Sequence, residues 1–327
     1  MPETEPRLKD VYRARAAIAR FVRRTPLVRS NALAERTGRA VHLKLESVQE
    51  TGAFKLRGAF NRLLALSEEE RAKGVIAVST GNHARAVAYA ARTLGLRATV
   101  FMSSLVPRHK VDAVRAEGAD VRIEGQTQDE AEEAARRLAA EERLTFVSPF
   151  DDPLVIAGQG TLGLEILEDL PEVDTVLVPL SGGGLIGGIA LALKSASPAI
   201  RVVGVSMERG PAMYESLKAG RPVPVEEEAS LADSLGGGIG RDNRYTFALV
   251  RDLVDEVVLV GEDAIAAAMA HAYWQEQLVL EGGAAVGIAA LLEGKVARLG
   301  QRVAILLSGR NVDMQAFSEI VSARRPS

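Results

Sequence analysis

The chain of 327 residues, 47% hydrophobic and 25% charged, has the balance of a folded globular protein and enough length for two lobes with sizeable cores. The 40 Lys and Arg against 43 Asp and Glu leave a formal charge of −3, which offers no general attraction for nucleic acid. With no Cys there are no disulfides, thiol nucleophiles or Cys-ligated zinc, and His42, His83, His109 and His271 lack metal-ligand spacing, so no metal site is expected.

The N-terminal stretch Met1–Arg7 has no apolar signal core, and no run of about 18 apolar residues offers a membrane span; a cytoplasmic protein without membrane partners is expected. From about residue 40, apolar strand-like runs alternate with amphipathic stretches of helical length. The strand Val41–Leu45 leads to Thr51-Gly52-Ala53-Phe54-Lys55-Leu56-Arg57-Gly58-Ala59, which places one Lys between apolar neighbours at a helix start. Desolvation beside Phe54 and the positive end of a helix both lower an amine's pKa, as an imine-forming lysine needs near neutral pH. The plain alternative is a solvated surface amine.

Next, Val75–Ser79 runs into Thr80-Gly81-Asn82-His83, a strand end passing into a helix. Small residues there expose N–H groups suited to a carboxylate, and the Asn82 amide can donate to a phenolate-type oxygen. An ordinary N-cap beside a structural His83 explains the same residues. Ala98–Met102 and Val121–Glu124 read as strands, and Thr127 with Glu130 forms a capping box that opens a helix to about Glu142. Phe146–Pro153 reads as a crossing between lobes.

The apolar strand Thr175–Leu180 ends on Ser181-Gly182-Gly183-Gly184-Leu185 and passes into an apolar helix. Consecutive glycines let backbone N–H groups converge on a phosphate, aided by the helix dipole; a turn needed only for close packing is the bland reading. Gly182, Gly184 and Gly187 also satisfy G-x-G-x-x-G, and Glu208 follows the strand Val202–Val205 near the offset of a ribose-binding acid. Taken alone, this segment suits an NAD-binding dehydrogenase. Gly220–Ser230 reads as a solvated loop, Glu256–Val260 as a strand, and Gly261-Glu262-Asp263 as the start of a helix. The last strand, Val303–Ser308, ends on Gly309-Arg310-Asn311, at the strand end where open α/β sheets hold ligands. The alternation predicts an α/β fold of parallel sheets covered by helices on both faces.

Together these segments resemble the fold type II pyridoxal-phosphate enzymes, above all the threonine/serine dehydratases and serine racemases. Ala53–Ala59 is similar to the family's Ser-Phe-Lys-x-Arg-Gly-Ala motif, and Ser79–His83 to its Ser-x-Gly-Asn-His loop. Ser181–Leu185 resembles its glycine-rich phosphate loop, and Ser308–Asn311 its Ser-Gly-Gly-Asn ending. Arg24-Thr25-Pro26-Leu27 and Val155–Thr161 match as well, so the motifs run collinearly through most of the chain.

The resemblance implies a two-lobed, tryptophan synthase β-like architecture: a large domain of residues 1–52 plus 150–327, and a small domain of residues 53–149, with the cofactor lysine at the junction. It implies pyridoxal 5'-phosphate held covalently by Lys55, which afterwards takes the substrate's α-proton. Gly182, Gly183, Gly184 and Leu185 would bind the phosphate, Phe54 would pack beside the ring, Asn82 would meet its 3-hydroxyl, and Ser308 would face the pyridine nitrogen. Ser79, Thr80, Gly81 and His83 would frame the carboxylate of a small amino-acid substrate. The implied reaction is β-elimination of a β-hydroxy amino acid to a 2-oxo acid and ammonia, in a homodimer or homotetramer. A neutral Ser at the pyridine nitrogen, in place of a carboxylate, favours expulsion of the β-hydroxyl over transamination. An amino-acid racemase, a β-replacement synthase and a non-catalytic ligand-binding module are the alternatives on the same fold.

Several positions depart from the family pattern. Ala53 replaces a common Ser, Thr80 stands where racemases carry Ser, and Arg85-Ala86 stands where Gln-Gly is common. Arg310 replaces a Gly, so the two arginines suggest a substrate other than plain threonine. Ser206 occupies the position of a metal-binding Glu in some relatives, which again predicts no metal. With Ala232–Gly240, these departures resemble the dehydratase-like proteins of hydroxyectoine utilisation, whose substrates are hydroxylated diamino acids. A chain ending near residue 327 leaves no room for a C-terminal regulatory domain, so isoleucine feedback is not expected.

Overall fold

In the computed structural model, residues 5–79, 81–106 and 108–325 are described. The chain opens with α1 (Leu8–Ile18), β1 (Leu27–Ser30), α2 (Asn31–Thr37) and β2 (Ala40–Leu45). Helices α3 (Lys55–Leu64) and α4 (Glu68–Lys73) lead into β3 (Val75–Val78), α5 (Asn82–Thr93), β4 (Ala98–Met102) and α6 (Arg108–Ala116). Then come β5 (Asp120–Ile123), α7 (Gln128–Glu142), β6 (Thr145–Phe146), α8 (Pro153–Asp169) and β7 (Thr175–Pro179). The remainder comprises α9 (Gly184–Ala196), β8 (Arg201–Met207), α10 (Ala212–Ala219), α11 (Thr246–Leu253) and β9 (Glu256–Val260). It closes with α12 (Glu262–Trp274), α13 (Gly282–Leu292), β10 (Arg302–Leu307) and α14 (Met314–Ser322).

Among the described residues these strands form two sheets. The larger is ordered β1-β2-β10-β7-β8-β9 and is parallel except for β1, which pairs antiparallel with β2. The smaller is ordered β5-β4-β3-β6 and is parallel throughout. Val, Ile and Leu fill β7 and β10 because helices cover both faces of the large sheet and leave no solvent side for polar residues. α7 begins with the expected capping box, Thr127 accepting from the Glu130 N–H. No described helix is long and apolar enough to cross a membrane.

Two strands escape the sequence pattern. β1 is a half-exposed edge, and β6 is only two residues long, defined by its pairing with Val75 and Ile76 of β3 rather than by its own periodicity. The Val147 N–H extends that pairing by donating to the Ile76 carbonyl oxygen at 2.9 Å, which fixes where the chain leaves the small sheet to cross between lobes. In each sheet the strand order reverses once: between β7 and β10 in the large sheet, and between β3 and β6 in the small one. Such reversals open a crevice at the carboxyl ends of the strands. Here those ends carry the glycine bend, Ser308, the Ser79–His83 loop and the crossing segment.

One helix sets the spacing between the lobes. α8 is buried along Val155–Ile166 and bears Gly158, Gly160 and Gly163. A Cβ on Gly158 would stand 2.7 Å from the Arg57 carbonyl oxygen of α3, and one on Gly160 would stand 2.8 Å from the Gly188 carbonyl oxygen of α9. Backbone therefore meets backbone on both flanks of α8, which fixes the start of α3, at Lys55, relative to the start of α9, at the glycine bend.

Candidate active site

Lys55 is the first residue of α3, and its Nζ donates to the Pro149 carbonyl oxygen at 2.7 Å. The next residue, Phe150, lies against the glycine bend: a Cβ on Gly182 would overlap the Phe150 ring, and one on Gly184 would come 2.7 Å from its carbonyl oxygen. A single dipeptide thus joins the amine to the bend. Desolvation lowers the Lys55 pKa from 10.5 to about 8, although the nearby Glu281 carboxylate acts to raise it. The ammonium also lies 5.3 Å from the centroid of the Phe54 ring.

Two residues beyond Lys55, the fully buried Arg57 anchors the helix. Its Nε and Nη2 donate to Glu46, its Nη1 and Nη2 to Glu165, and Nη1 also reaches the Thr161 hydroxyl, over 2.6–3.1 Å. Lys44 adds a buried bond of 2.7 Å to Glu165. Buried charges this well partnered contribute more to a single geometry than to net stability. They hold α3 against β2 and α8, and with it Lys55.

Gly183 adopts a left-handed φ of 89° that an L side chain rarely takes, and α9 begins at the next residue. The first-turn N–H groups of Gly184, Leu185 and Ile186 have no partner within the helix, so the bend presents converging donors at a dipole's positive end. Ile186 lies outside the donor set that the glycines suggest; it enters because the helix starts at Gly184, a boundary that the glycine pattern leaves open by one residue. Gly187, the third glycine of G-x-G-x-x-G, packs against Leu249, and Glu208 pairs with Lys295 at 3.2 Å. Both have roles in packing or surface pairing.

On the facing lobe, Gly81 caps α5, and a Cβ there would meet nothing within 4 Å: the space in front is open. Its N–H bonds the Ser79 hydroxyl at 3.2 Å. Thr80 lies outside the described residues. His83 is buried with its Nε2–H donating to the Val147 carbonyl oxygen at 2.9 Å, and burial followed by the Lys55 charge lowers its pKa to about 3. The ring is therefore neutral and turned to the crossing segment, so an anion near α5 would meet the backbone of His83 and not its imidazole.

Ser308 follows β10, is buried, and its carbonyl accepts the Phe54 N–H at 3.0 Å. Gly309 bridges Ala53 in antiparallel fashion, and the Gly309 carbonyl accepts the Glu281 N–H at 3.2 Å. Glu281 is 4% exposed and accepts from Asn82 Nδ2 at 2.8 and 3.0 Å. Desolvation raises its pKa to about 7, against the opposing pull of the Asn82 hydrogen bond. Asn311 Nδ2 donates to Asn82 Oδ1 at 2.6 Å, and Arg85 Nη1 to Asn311 Oδ1 at 2.6 Å. Arg85 is thereby bonded to the protein through Nη1, its buried Nε has no partner, and Arg310 is exposed.

The structure brings Phe54, Lys55, Ser79, Gly81, Asn82, His83, Gly182, Gly183, Gly184, Leu185 and Ser308 to the facing crevices. Sequence reasoning missed Glu281 and most of the crossing segment, where neighbouring residues each hold a different part of the site, and named Asn311 only as part of the Ser308–Asn311 ending. Val147 takes His83, Pro149 takes Lys55, and Phe150 backs the bend. Asp151 accepts the N–H groups of Arg244, Tyr245 and Thr246 at 2.7–3.0 Å, and Asp152 caps α8 and pairs with Arg62 at 3.0 Å. The run Ser-Pro-Phe-Asp-Asp signals a turn and a cap, but not these partners.

Residues 18–309 match the family described as pyridoxal-phosphate dependent enzyme. A Sinorhizobium fredii protein provisionally named a threonine dehydratase is 55% identical over 96% of this chain and 95% of its own length. An L-threonine ammonia-lyase of Thermotoga maritima is 46% identical over 96% of this chain and 78% of its own. Among solved structures, maize serine racemase superposes with a TM-score of 0.92 at 35% identity, covering 98% of both chains.

Proposed function

The chain belongs to the pyridoxal-phosphate dependent enzymes, and on that premise we propose that it is an ammonia-lyase of the threonine dehydratase type. It would convert a β-hydroxy amino acid to a 2-oxo acid and ammonia. Full-length relatives named L-threonine ammonia-lyase support the reaction class. The observation that carries the reading is the Lys55 amine, its pKa lowered to about 8 and linked to the glycine bend through Pro149 and Phe150. A surface lysine would have neither the lowered pKa nor that tether.

The residues present fit pyridoxal 5'-phosphate. Lys55 supplies the amine for the covalent link, the N–H groups of Gly184, Leu185 and Ile186 supply phosphate donors after a bend whose glycines admit no Cβ, and Asn82 supplies an amide for the ring oxygen. Ser308 supplies a neutral hydroxyl for the ring nitrogen, and Phe54 a flanking ring. The bound cofactor contributes a conjugated system that spreads negative charge away from the substrate's α-carbon.

The protein's own part is set by the geometry. Near pH 8 about half of the Lys55 amines are neutral, so Nζ would be able to hold the cofactor covalently and to accept a proton from the substrate's α-carbon. Ser79, Gly81 and the start of α5 hold the substrate carboxylate in the open space before Gly81. Ser308 offers no counter-charge to a protonated ring nitrogen, which favours loss of the β-hydroxyl over movement of the amino group. The bond from Lys55 Nζ to the Pro149 carbonyl oxygen ties the amine at the start of α3 to the segment that leaves the small sheet.

A panel of L- and D-serine, L-threonine, threo-hydroxyaspartate and hydroxylated diaminobutyrate, scored for ammonia, 2-oxo acid and inverted amino acid, tests the reading. The expected result is equal release of ammonia and 2-oxo acid from at least one member, with borohydride fixing the cofactor to Lys55. A colourless protein, or a label on another lysine, would falsify it; inversion without ammonia release would make the protein a racemase.

A further inference from the structure

Between the lobes runs a chain of side-chain hydrogen bonds with unlike ends. Arg85 of α5 donates to Asn311 Oδ1, Asn311 Nδ2 donates to Asn82 Oδ1, and Asn82 Nδ2 donates to both oxygens of Glu281, all within 2.6–3.0 Å. The chain alternates between α5 and the segments around β10 and α13. An amide can be reversed at little cost when its neighbours can both give and accept. Here they cannot: a guanidinium only donates, and Glu281, with burial raising its pKa to about 7, only accepts in its ionised form above that pH. The Thr51 carbonyl, which takes a second bond from Asn311 Nδ2 at 2.8 Å, imposes the same sense. Gly52 makes room for the arrangement: with φ at 74°, it lies so close that a Cβ would stand 2.7 Å from Asn311 Oδ1.

We propose that Arg85 and ionised Glu281 are positioning residues, the donor-only and acceptor-only ends of a relay that holds the Asn82 amide with its NH2 group available to the cofactor's ring oxygen. The proposal rests on the pyridoxal-phosphate reading above. One N–H of Asn82 can fork to the two Glu281 oxygens, which leaves the second N–H for another acceptor. Reversing the amide would set its oxygen against the buried carboxylate and withdraw the donor. Neither Arg85 nor Glu281 needs to touch the cofactor or the substrate to hold the amide in this sense.

The test measures the dissociation constant for pyridoxal phosphate, from the borohydride-sensitive visible absorbance of the full-length protein, beside kcat, KM and melting temperature. Arg85→Met and Glu281→Gln should each weaken cofactor binding about tenfold, and the double variant no more than either single one, since either break frees the same amide. Arg85→Lys, which keeps a donor-only head, should stay within about twofold of wild type. In an Asn82→Ala background, Arg85→Met should have no further effect. An undiminished loss in that background, or additive losses in the double variant, would overturn the relay, because a direct or purely structural role gives those results. If wild-type protein itself shows no borohydride-sensitive absorbance, the underlying cofactor reading fails, and the relay with it.

Discussion

Two glycine-bearing loops lie at strand ends, one in each sheet, and they use glycine for opposite reasons. The bend after β7 is crowded, with Phe150 pressing on Gly182 and Gly184, and Met213 and Thr246 within 3.0 Å of where a Gly183 Cβ would be. The loop after β3 is open, and Gly81 faces empty space. At the bend, glycine lets protein atoms close on one another and leaves a rigid row of N–H donors. At Gly81 a volume is left free, room that an exchanging ligand would need. A fixed phosphate suits the first environment and an exchanging carboxylate the second.

The sharpest way to break this contrast is to add one methyl group on each side. Gly184→Ala should be the most damaging, because its Cβ meets the Phe150 backbone, which cannot step aside. We expect cofactor affinity to fall by at least about a hundredfold and stability by about 1–3 kcal/mol. Gly182→Ala should cost nearly as much, but its clash is with the Phe150 ring, so Phe150→Ala should restore much of the binding. Equal rescue of both variants by Phe150→Ala would show that the crowding is not of the kind described. The dissociation constant for pyridoxal phosphate and the urea midpoint decide it.

Gly81→Ala should behave differently. Its methyl group enters open space, so melting temperature and cofactor affinity should stay near wild type while KM for the amino acid rises roughly tenfold. A fall in cofactor affinity without a change in KM would reverse the roles assigned to the two loops.

Much of this site is legible in the sequence, and the division between what is and what is not is physical. Lys55, the Gly182–Gly184 bend and Asn82 announce themselves locally, through neighbours in sequence that make sense only at a turn between strand and helix. β7 and β10 are equally plain, since unbroken apolar runs mark strands buried on both faces. Glu281 is not, because its meaning lies in Asn82, 199 residues away, and in a burial that no local pattern reports. Pro149 is hidden likewise: what Lys55 takes from it is a carbonyl oxygen, which every residue has. β6 vanishes from the sequence because two residues carry no period, yet its pairing with β3 aims the crossing segment at the amine. Arg85 stands out as a cation in the sequence, but its pairing with Asn311 does not.

The smallest expected effect sharpens the contrast at Lys55, which sits where the crowded side meets the open one. Burial lowers its pKa from 10.5 to about 8, so below pH 8 the folded protein carries a desolvated charge that the unfolded chain hydrates freely. Between pH 8 and 10.5 the unfolded chain binds more protons than the folded one, and this group's contribution to stability rises with pH. Removing the amine should therefore stabilise the cofactor-free protein at neutral pH. For Lys55→Met the gain should be about 1–2 kcal/mol, a discounted figure because the cleft keeps part of the side chain wet and Pro149 loses its donor. The gain should shrink steadily from pH 8 toward 10.5, as the wild-type amine discharges. Urea unfolding of both cofactor-free proteins at about pH 7 and about pH 10 measures it. A variant that is less stable than wild type at neutral pH, or whose advantage grows with pH, would mean that the amine is solvated and that the open side of the crevice extends to Lys55.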